Sequence, residues 1–185
     1  MNPPSHYDFP ATNSYSETAF VKELIPHIDA NYRTIASREG RGIEGFSQGG
    51  RGTARIMFKF PELFCSAAPM GSGLQHEQHA AEHQGQETSG VQFEPGNNTY
   101  DLARVYVAKQ DRFPLHILVG FGMQDFNYKA NLTWSEHLKS LGIPHEVAIA
   151  GEAPHSALEC YKQLGDRVML FHARNFHLIP SPDAP

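Results

Sequence analysis

Gly42-Ile43-Glu44-Gly45-Phe46-Ser47-Gln48-Gly49-Gly50 is the stretch on which the reading of this chain turns. Within it, Gly45-x-Ser47-x-Gly49 matches G-x-S-x-G, the pattern of a serine set on a sharp turn between a strand and a helix. The two flanking glycines are expected to permit that turn, because a Cβ at either position would collide with neighbouring backbone. The turn exposes the serine hydroxyl and aims the N–H of Gln48 at a developing oxyanion. Glycine-rich βα turns match so short a pattern by chance, so the flanking sequence has to decide. Upstream, residues 41–46 have the character of a short strand. Downstream, residues 52–60 have that of a helix, with Pro61 as its stop.

Outward from this point the chain alternates between strand and helix patterns. Residues 1–15 are polar and proline-rich and read as an irregular arm. Ser14-Tyr15-Ser16-Glu17 offers a capping box. Phe20, Val21, Leu24, Ile25 and Ile28 then follow helical spacing, with a kink expected at Pro26. Residues 63–70 read as a second strand, ending in Gly71-Ser72-Gly73. Residues 74–98 are rich in His, Gln, Glu and Gly and read as a polar insert or lid. A helix over 98–107 would pack the insert back. Residues 115–122 form a nearly continuous apolar run, as suits a parallel strand covered on both faces. A helix over 132–141 places Trp134, Leu138 and Leu141 on one side. Residues 145–150 make a fourth strand and 156–176 a last helix, before a proline-rich tail. The alternation predicts one α/β domain over residues 1–185, with a mostly parallel sheet of about four strands.

Bulk properties narrow the functional classes. The 185 residues carry a formal net charge of −5, which gives no nucleic-acid footprint. No apolar run approaches the roughly 20 residues of a membrane span. The first ten residues lack a secretory leader pattern, so the location reads as cytoplasmic by default, or secreted if the true N-terminus lies upstream. Two cysteines, Cys65 and Cys160, do not make a disulfide framework. Cys65 reads as a small buried apolar residue. His76, His79 and His83 would share a helical face, but the spacing is not that of a metalloprotease motif and a solvated insert is the expected reading. His116, inside an apolar strand, reads as a core histidine.

Three segments follow one another along the chain: "ELIPHIDANYRT", "REGRGIEGFSQGG" and "FPELFCSAAPMGSG". Together they resemble the putative-esterase branch of the α/β-hydrolases, which includes S-formylglutathione hydrolases, feruloyl and acetylxylan esterases and enterochelin-type esterases. The resemblance runs from about Glu17 to about Phe176, with the insert matching poorly. It implies a three-layer sandwich and hydrolysis of carboxylic esters through an acyl-enzyme, with no cofactor. A serine nucleophile needs a base, and the base needs an orienting acid. In this fold the chain order is Ser, then Asp or Glu, then His. "GFGMQDFNYKANLTWSEHL" resembles the segment carrying the family's aspartate, and "GIPHEVAIAGEAPHS" the one leading to its histidine. Ser47 is thereby assigned as nucleophile, His155 as general base and acid, and Asp125 as the orienting acid, with the Gln48 N–H in the oxyanion hole. Glu152 and Glu44 are weaker candidates for the acid.

The resemblance also exposes a deficit. The family has about eight strands and an early segment, usually with a His-Gly pair, that completes the oxyanion hole. Neither extra strands nor that pair are evident before Gly45. A fragment, a mis-started product and a genuinely short protein all fit this pattern. Two readings follow: a serine esterase acting on small acyl, aryl or sugar-linked esters, or a catalytically weak esterase-like binding or assembly module. With no early strand, the strand over 42–46 is expected at a sheet edge, where pairing with a second copy would close it.

Overall fold

The computed structural model describes residues 6–10, 13–84, 86 and 93–176. Two short strands come first, β1 (Asp8–Phe9) and β2 (Ser14–Tyr15), paired antiparallel. The arm expected to be irregular is therefore partly ordered over its described residues. Helix α1 (Ser16–Thr18) runs through π-helical turns at Ala19–Leu24 into α2 (Ile25–Asn31). Proline explains this winding. Pro26 has no N–H to give the turn before it, and the chain widens so that Ile25 N–H bonds the carbonyl of Phe20, five residues back. The α-helix then restarts with Pro26 in its first turn, where no N–H is needed. The expected capping box does not form. Ser14 is in β2, and Glu17 reaches Lys59 at 2.6 Å instead of turning back to the helix start.

The main sheet has four parallel strands in sequence order: β3 (Gly42–Phe46), β4 (Ser66–Met70), β5 (His116–Gly122) and β6 (Glu146–Ala150). Between them run α3 (Gln48–Lys59), α4 (Gln75–Ala80), α5 (Thr99–Val107) and α6 (Tyr128–Ser140), and α7 (Ala157–Asn175) follows β6. Side chains alternate across the strands and so feed two cores. Ile43, Ala67, Ile117, Val119 and Phe121 face α3, α5 and α6, where they meet Met57, Phe58, Tyr106, Trp134 and Leu138. Ala68, Met70, Leu118, Ala148 and Ala150 face α7, which presents Cys160, Leu164, Val168 and Phe171 at helical spacing. The result is the expected three-layer α/β arrangement. Every residue of β5 after His116 is buried, as its continuous apolar run requires. His116 itself is exposed at the mouth of the strand, so the core position read from the sequence is corrected.

The polar insert is anchored more firmly than its composition suggests. Glu77 is buried and accepts from the Thr99 backbone N–H at 2.6 Å and from Arg51 Nε at 3.3 Å. Arg55, on the same face of α3, is buried between the rings of Tyr7 at 4.7 Å and Phe93 at 4.6 Å and donates to the carbonyl of Asn97. Burial lowers the pKa of its guanidinium. One residue thus ties the N-terminal arm and the insert to the helix after Ser47. Positions 85 and 87–92 of the insert lie outside the described residues, as do residues 1–5, 11–12 and the tail from 177. Among the described residues no helix is long and apolar enough to cross a membrane.

Among the described residues β3 pairs only with β4, which puts it at the edge of the sheet, where the sequence reading placed it. The helical segment beside it is incompletely covered. Phe20, Val21 and Ile25 pack on the core, while Leu24 is 48 % exposed.

Trp134 is the single tryptophan and is fully buried, so its emission should shift to longer wavelength on unfolding. Leu138, one turn along α6 in the same core, is also fully buried. Leu138→Ala should cost about 2–5 kcal/mol in urea unfolding followed by that emission.

Candidate active site

The turn between β3 and α3 has no spare residue. β3 ends at Phe46 and α3 begins at Gln48, leaving Ser47 alone at φ +57°, ψ −113°. A positive φ at a non-glycine residue of this kind costs about 1–3 kcal/mol and persists only where the surroundings impose it. Two backbone bonds impose it. Ser47 N–H donates to the carbonyl of Met70 in the neighbouring strand at 2.8 Å, and the Ser47 carbonyl accepts from Arg51 N–H at 3.0 Å. Two glycines clear the space. A Cβ on Gly45 would come 2.5 Å from the Gly49 carbonyl carbon, and one on Gly50 would overlap Ser72 Oγ and the Met70 carbonyl. Gly49 is different. A Cβ there meets nothing within 4 Å, so the expectation that both glycines of the motif are sterically required holds for Gly45 only.

The loop after β5 carries Asp125 and the loop after β6 carries His155. Ser47 Oγ lies 2.8 Å from His155 Nε2. Both oxygens of Asp125 lie 2.9 Å from His155 Nδ1. A carboxylate only accepts, so Nδ1 carries the ring proton and Nε2 is left to accept from the serine hydroxyl. Asp125 is buried, and its Oδ1 also accepts from the backbone N–H of Asn127 at 2.7 Å. The rings of Phe46 and Phe126 flank the imidazole, with centroids at 5.0 Å and 4.2 Å. Phe126 is 76 % exposed and leaves an aromatic face open beside His155. The arrangement can move a proton from Ser47 to His155 while the buried carboxylate stabilises the resulting imidazolium.

The other carboxylates are elsewhere. Glu152 is exposed. Glu44 accepts from Tyr161 OH and lies 3.4 Å from His172 Nε2, on the α7 side of the sheet. Burial raises the Glu44 pKa, but the contacts with His172 and Tyr161 outweigh it and hold the group below the usual carboxylate range. Burial, and then the charge of Asp125, push the Cys160 thiol up. Gln48 is the first residue of α3, so its N–H has no carbonyl one turn back within the helix. The rings of His79 and His83 lie 6.5 Å apart, tilted by 34°, and no group of three side chains that could hold a metal ion occurs among the described residues.

Several supporting residues escape a motif reading. Asn131 accepts from Ser72 N–H at 3.1 Å and donates to the Ser72 carbonyl at 2.9 Å, while Asn127 donates to the Gly71 carbonyl at 3.2 Å. They fasten the loop after β4 beneath Asp125. Gly71 adopts φ +54°, where a Cβ would crowd Phe46 and come 3.2 Å from Asp125 Oδ2. The sequence signal available was a pair of asparagines four residues apart at the start of α6, on one helical face.

With this geometry in view, the comparisons define the class. The family model described as "Putative esterase" matches residues 4–141, and the chain belongs to that family. His155 lies beyond the matched span. Esterase Rv1288 of Mycobacterium tuberculosis is 42% identical over 52 residues, covering 28% of this chain and 11% of that protein. Among solved structures, a ferulic acid esterase matches with TM-score 0.74 at 20% identity, covering 93% of this chain and 65% of its own. S-formylglutathione hydrolase FrmB from Staphylococcus aureus matches with TM-score 0.67 at 19% identity, over 85% of this chain and 61% of its own. The chain thus has an α/β-hydrolase fold and spans less than two thirds of the first structures it resembles.

The two glycine environments separate experimentally. Gly50→Ala should destabilise the protein by about 1–3 kcal/mol through overpacking. Gly49→Ala, with open space at its Cβ, should stay within about 0.5 kcal/mol of the parent in the same unfolding assay.

Proposed function

We propose that this chain is a serine carboxylic-ester hydrolase working through an acyl-enzyme on Ser47. The observation that carries the reading is the continuous hydrogen-bonded line from Ser47 Oγ through His155 to the buried Asp125. In the first half-reaction His155 Nε2 takes the hydroxyl proton as Ser47 Oγ attacks the ester carbonyl carbon, and the Gln48 N–H donates to the oxyanion that forms. The tetrahedral species collapses as His155 returns the proton to the departing alkoxide oxygen. In the second half-reaction His155 activates a water in the same way and the acid leaves. The chemistry draws on these side chains and needs no cofactor.

The substrate is a small acyl, aryl or sugar-linked ester. Support comes from the exposed Phe126 ring beside His155, which offers stacking to an aromatic acyl or alcohol group. The names of the structural relatives, a ferulic acid esterase and an S-formylglutathione hydrolase, point to acyl-group hydrolysis.

The wild-type chain should hydrolyse p-nitrophenyl acetate, and Ser47→Ala should lose about 10⁴–10⁶ in kcat. His155→Ala should lose a comparable factor without adding to it. Equal rates for wild type and Ser47→Ala would remove Ser47 from the mechanism.

For assembly, we propose that the free edge of β3 pairs with that of a second copy about a two-fold axis. The apolar cavity of about 230 Å³ beside it, lined by Phe20, Leu24, Ile25, Ile35 and Phe64, would be covered in the same contact. Light scattering should give twice the mass of one chain, and Leu24→Glu should give the monomer. A stable wild-type monomer at micromolar concentration would refute this.

A further inference from the structure

The two aromatic rings beside His155 differ in how much water they meet. Phe46, at the end of β3, is partly buried. Phe126 lies closer to the imidazole, at 4.2 Å between centroids, and is the most exposed large apolar side chain among the described residues. Met123 and Leu158 are exposed as well, at 54 % and 65 %. All three lie within three residues of Asp125 or His155 in the chain. Single apolar side chains scattered over a surface need no explanation, but a concentration of them at a site marks a surface that meets a ligand. Phe126 is also held in place. Its neighbours are tied by Asn127 N–H donating to Asp125 Oδ1 at 2.7 Å and by Tyr128 N–H donating to the Asp125 carbonyl at 2.9 Å.

The proton chemistry decides which half of an ester meets that ring. When the tetrahedral species collapses, the bond from the reacting carbon to the alcohol oxygen breaks and its electron pair stays on that oxygen. The proton on His155 Nε2 passes to the same oxygen, and the imidazole is neutral again. The departing oxygen therefore sits about 2.8 Å from Nε2, near the plane of the imidazole. A centroid separation of 4.2 Å requires Phe126 to lie over the imidazole face and not at its edge. Together these put the departing oxygen about 6–7 Å from the centre of the Phe126 ring, so an aryl group one carbon beyond that oxygen reaches stacking distance. The acyl chain is the other substituent on the reacting carbon, and nothing in the proton transfer ties it to Nε2.

We infer that Phe126 selects the alcohol half of the substrate, and that this half carries an aryl ring one carbon from the ester oxygen, as in a benzyl-type ester. The inference rests on the ester-hydrolase reading proposed above and narrows its aromatic group, acyl or alcohol, to the alcohol. Phe126 donates and accepts no proton. It sets specificity by offering its exposed face to the leaving group while its other contact steadies His155, and Met123 and Leu158 extend the apolar rim on the two segments that carry Asp125 and His155.

The test is kcat/KM, which reports the acylation step, for the full chain on benzyl acetate, 2-methoxyethyl acetate, methyl phenylacetate and methyl acetate. The first two share an acyl group and differ in the alcohol. The last two share an alcohol and differ in the acyl group. Each pair is read as a ratio, so that any disturbance of His155 itself cancels. The wild type should prefer benzyl over 2-methoxyethyl acetate by about tenfold or more, from stacking and apolar burial. Phe126→Ala should lower that ratio about tenfold, and Phe126→Trp should keep it within about threefold of wild type. The ratio of methyl phenylacetate to methyl acetate should change by less than about twofold in both variants. A fall in the phenylacetate ratio, alone or together with the benzyl ratio, would put the ring against the acyl half and overturn the inference. Unchanged ratios in Phe126→Ala would overturn it too, leaving Phe126 as packing for His155. Both results leave the esterase reading standing. Hydrolysis of none of the four esters, or wild-type rates in Ser47→Ala, would instead overturn the esterase reading, and this inference with it.

Discussion

The backbone of Ser47 is the constraint on which the rest depends. Its φ of +57° is unfavourable for an L-residue, and it aims Oγ out of the sheet toward the loops that follow β5 and β6. The conformation survives because both of its peptide groups are bonded, one to the neighbouring strand and one to the first turn of α3. Gly45 and Gly50 let backbone and Ser72 close in around it. The cost of about 1–3 kcal/mol falls on one residue and is offset by the packing of a whole parallel sheet.

The groups that surround Ser47 come from the carboxyl ends of three parallel strands, where open α/β sheets place their ligand sites. Each loop is fixed by a different device. The loop after β4 is held by both polar ends of Asn131, the loop after β5 by the Asn127 N–H on Asp125, and the loop after β6 by Gln124 N–H, which donates to the Ala153 carbonyl at 3.1 Å. The site is thus carried by rigid backbone. The exception is the open side of β3, where a short arm and a partly covered helix stand beside the edge strand.

Much of this was legible in the sequence because it rests on period and order. The continuous apolar run over 115–122 and the alternation of strand and helix patterns along the chain pointed to the parallel sheet. The order Ser47, Asp125, His155, each after a strand pattern, brought forward the three side chains that lie together in the structure. What was not legible depends on tertiary context. Two-residue strands such as β1 and β2 have no period to detect. Arg55 is a charge on a helix face that is buried only because Tyr7 and Phe93 cover it. Ser14 and Glu17 matched a capping pattern, but Lys59 on α3 took the glutamate. His116 was misplaced because an apolar run does not reveal that its first residue protrudes.

The central claim is that Ser47 is a nucleophile activated by His155. Intact-mass analysis after exposure to a fluorophosphonate, followed by peptide mapping, tests it without assuming any substrate. The account predicts a single adduct, on Ser47, formed rapidly by the wild-type chain, abolished in Ser47→Ala and greatly slowed in His155→Ala. An unmodified wild-type protein, or an adduct on another residue with Ser47 intact, would contradict it.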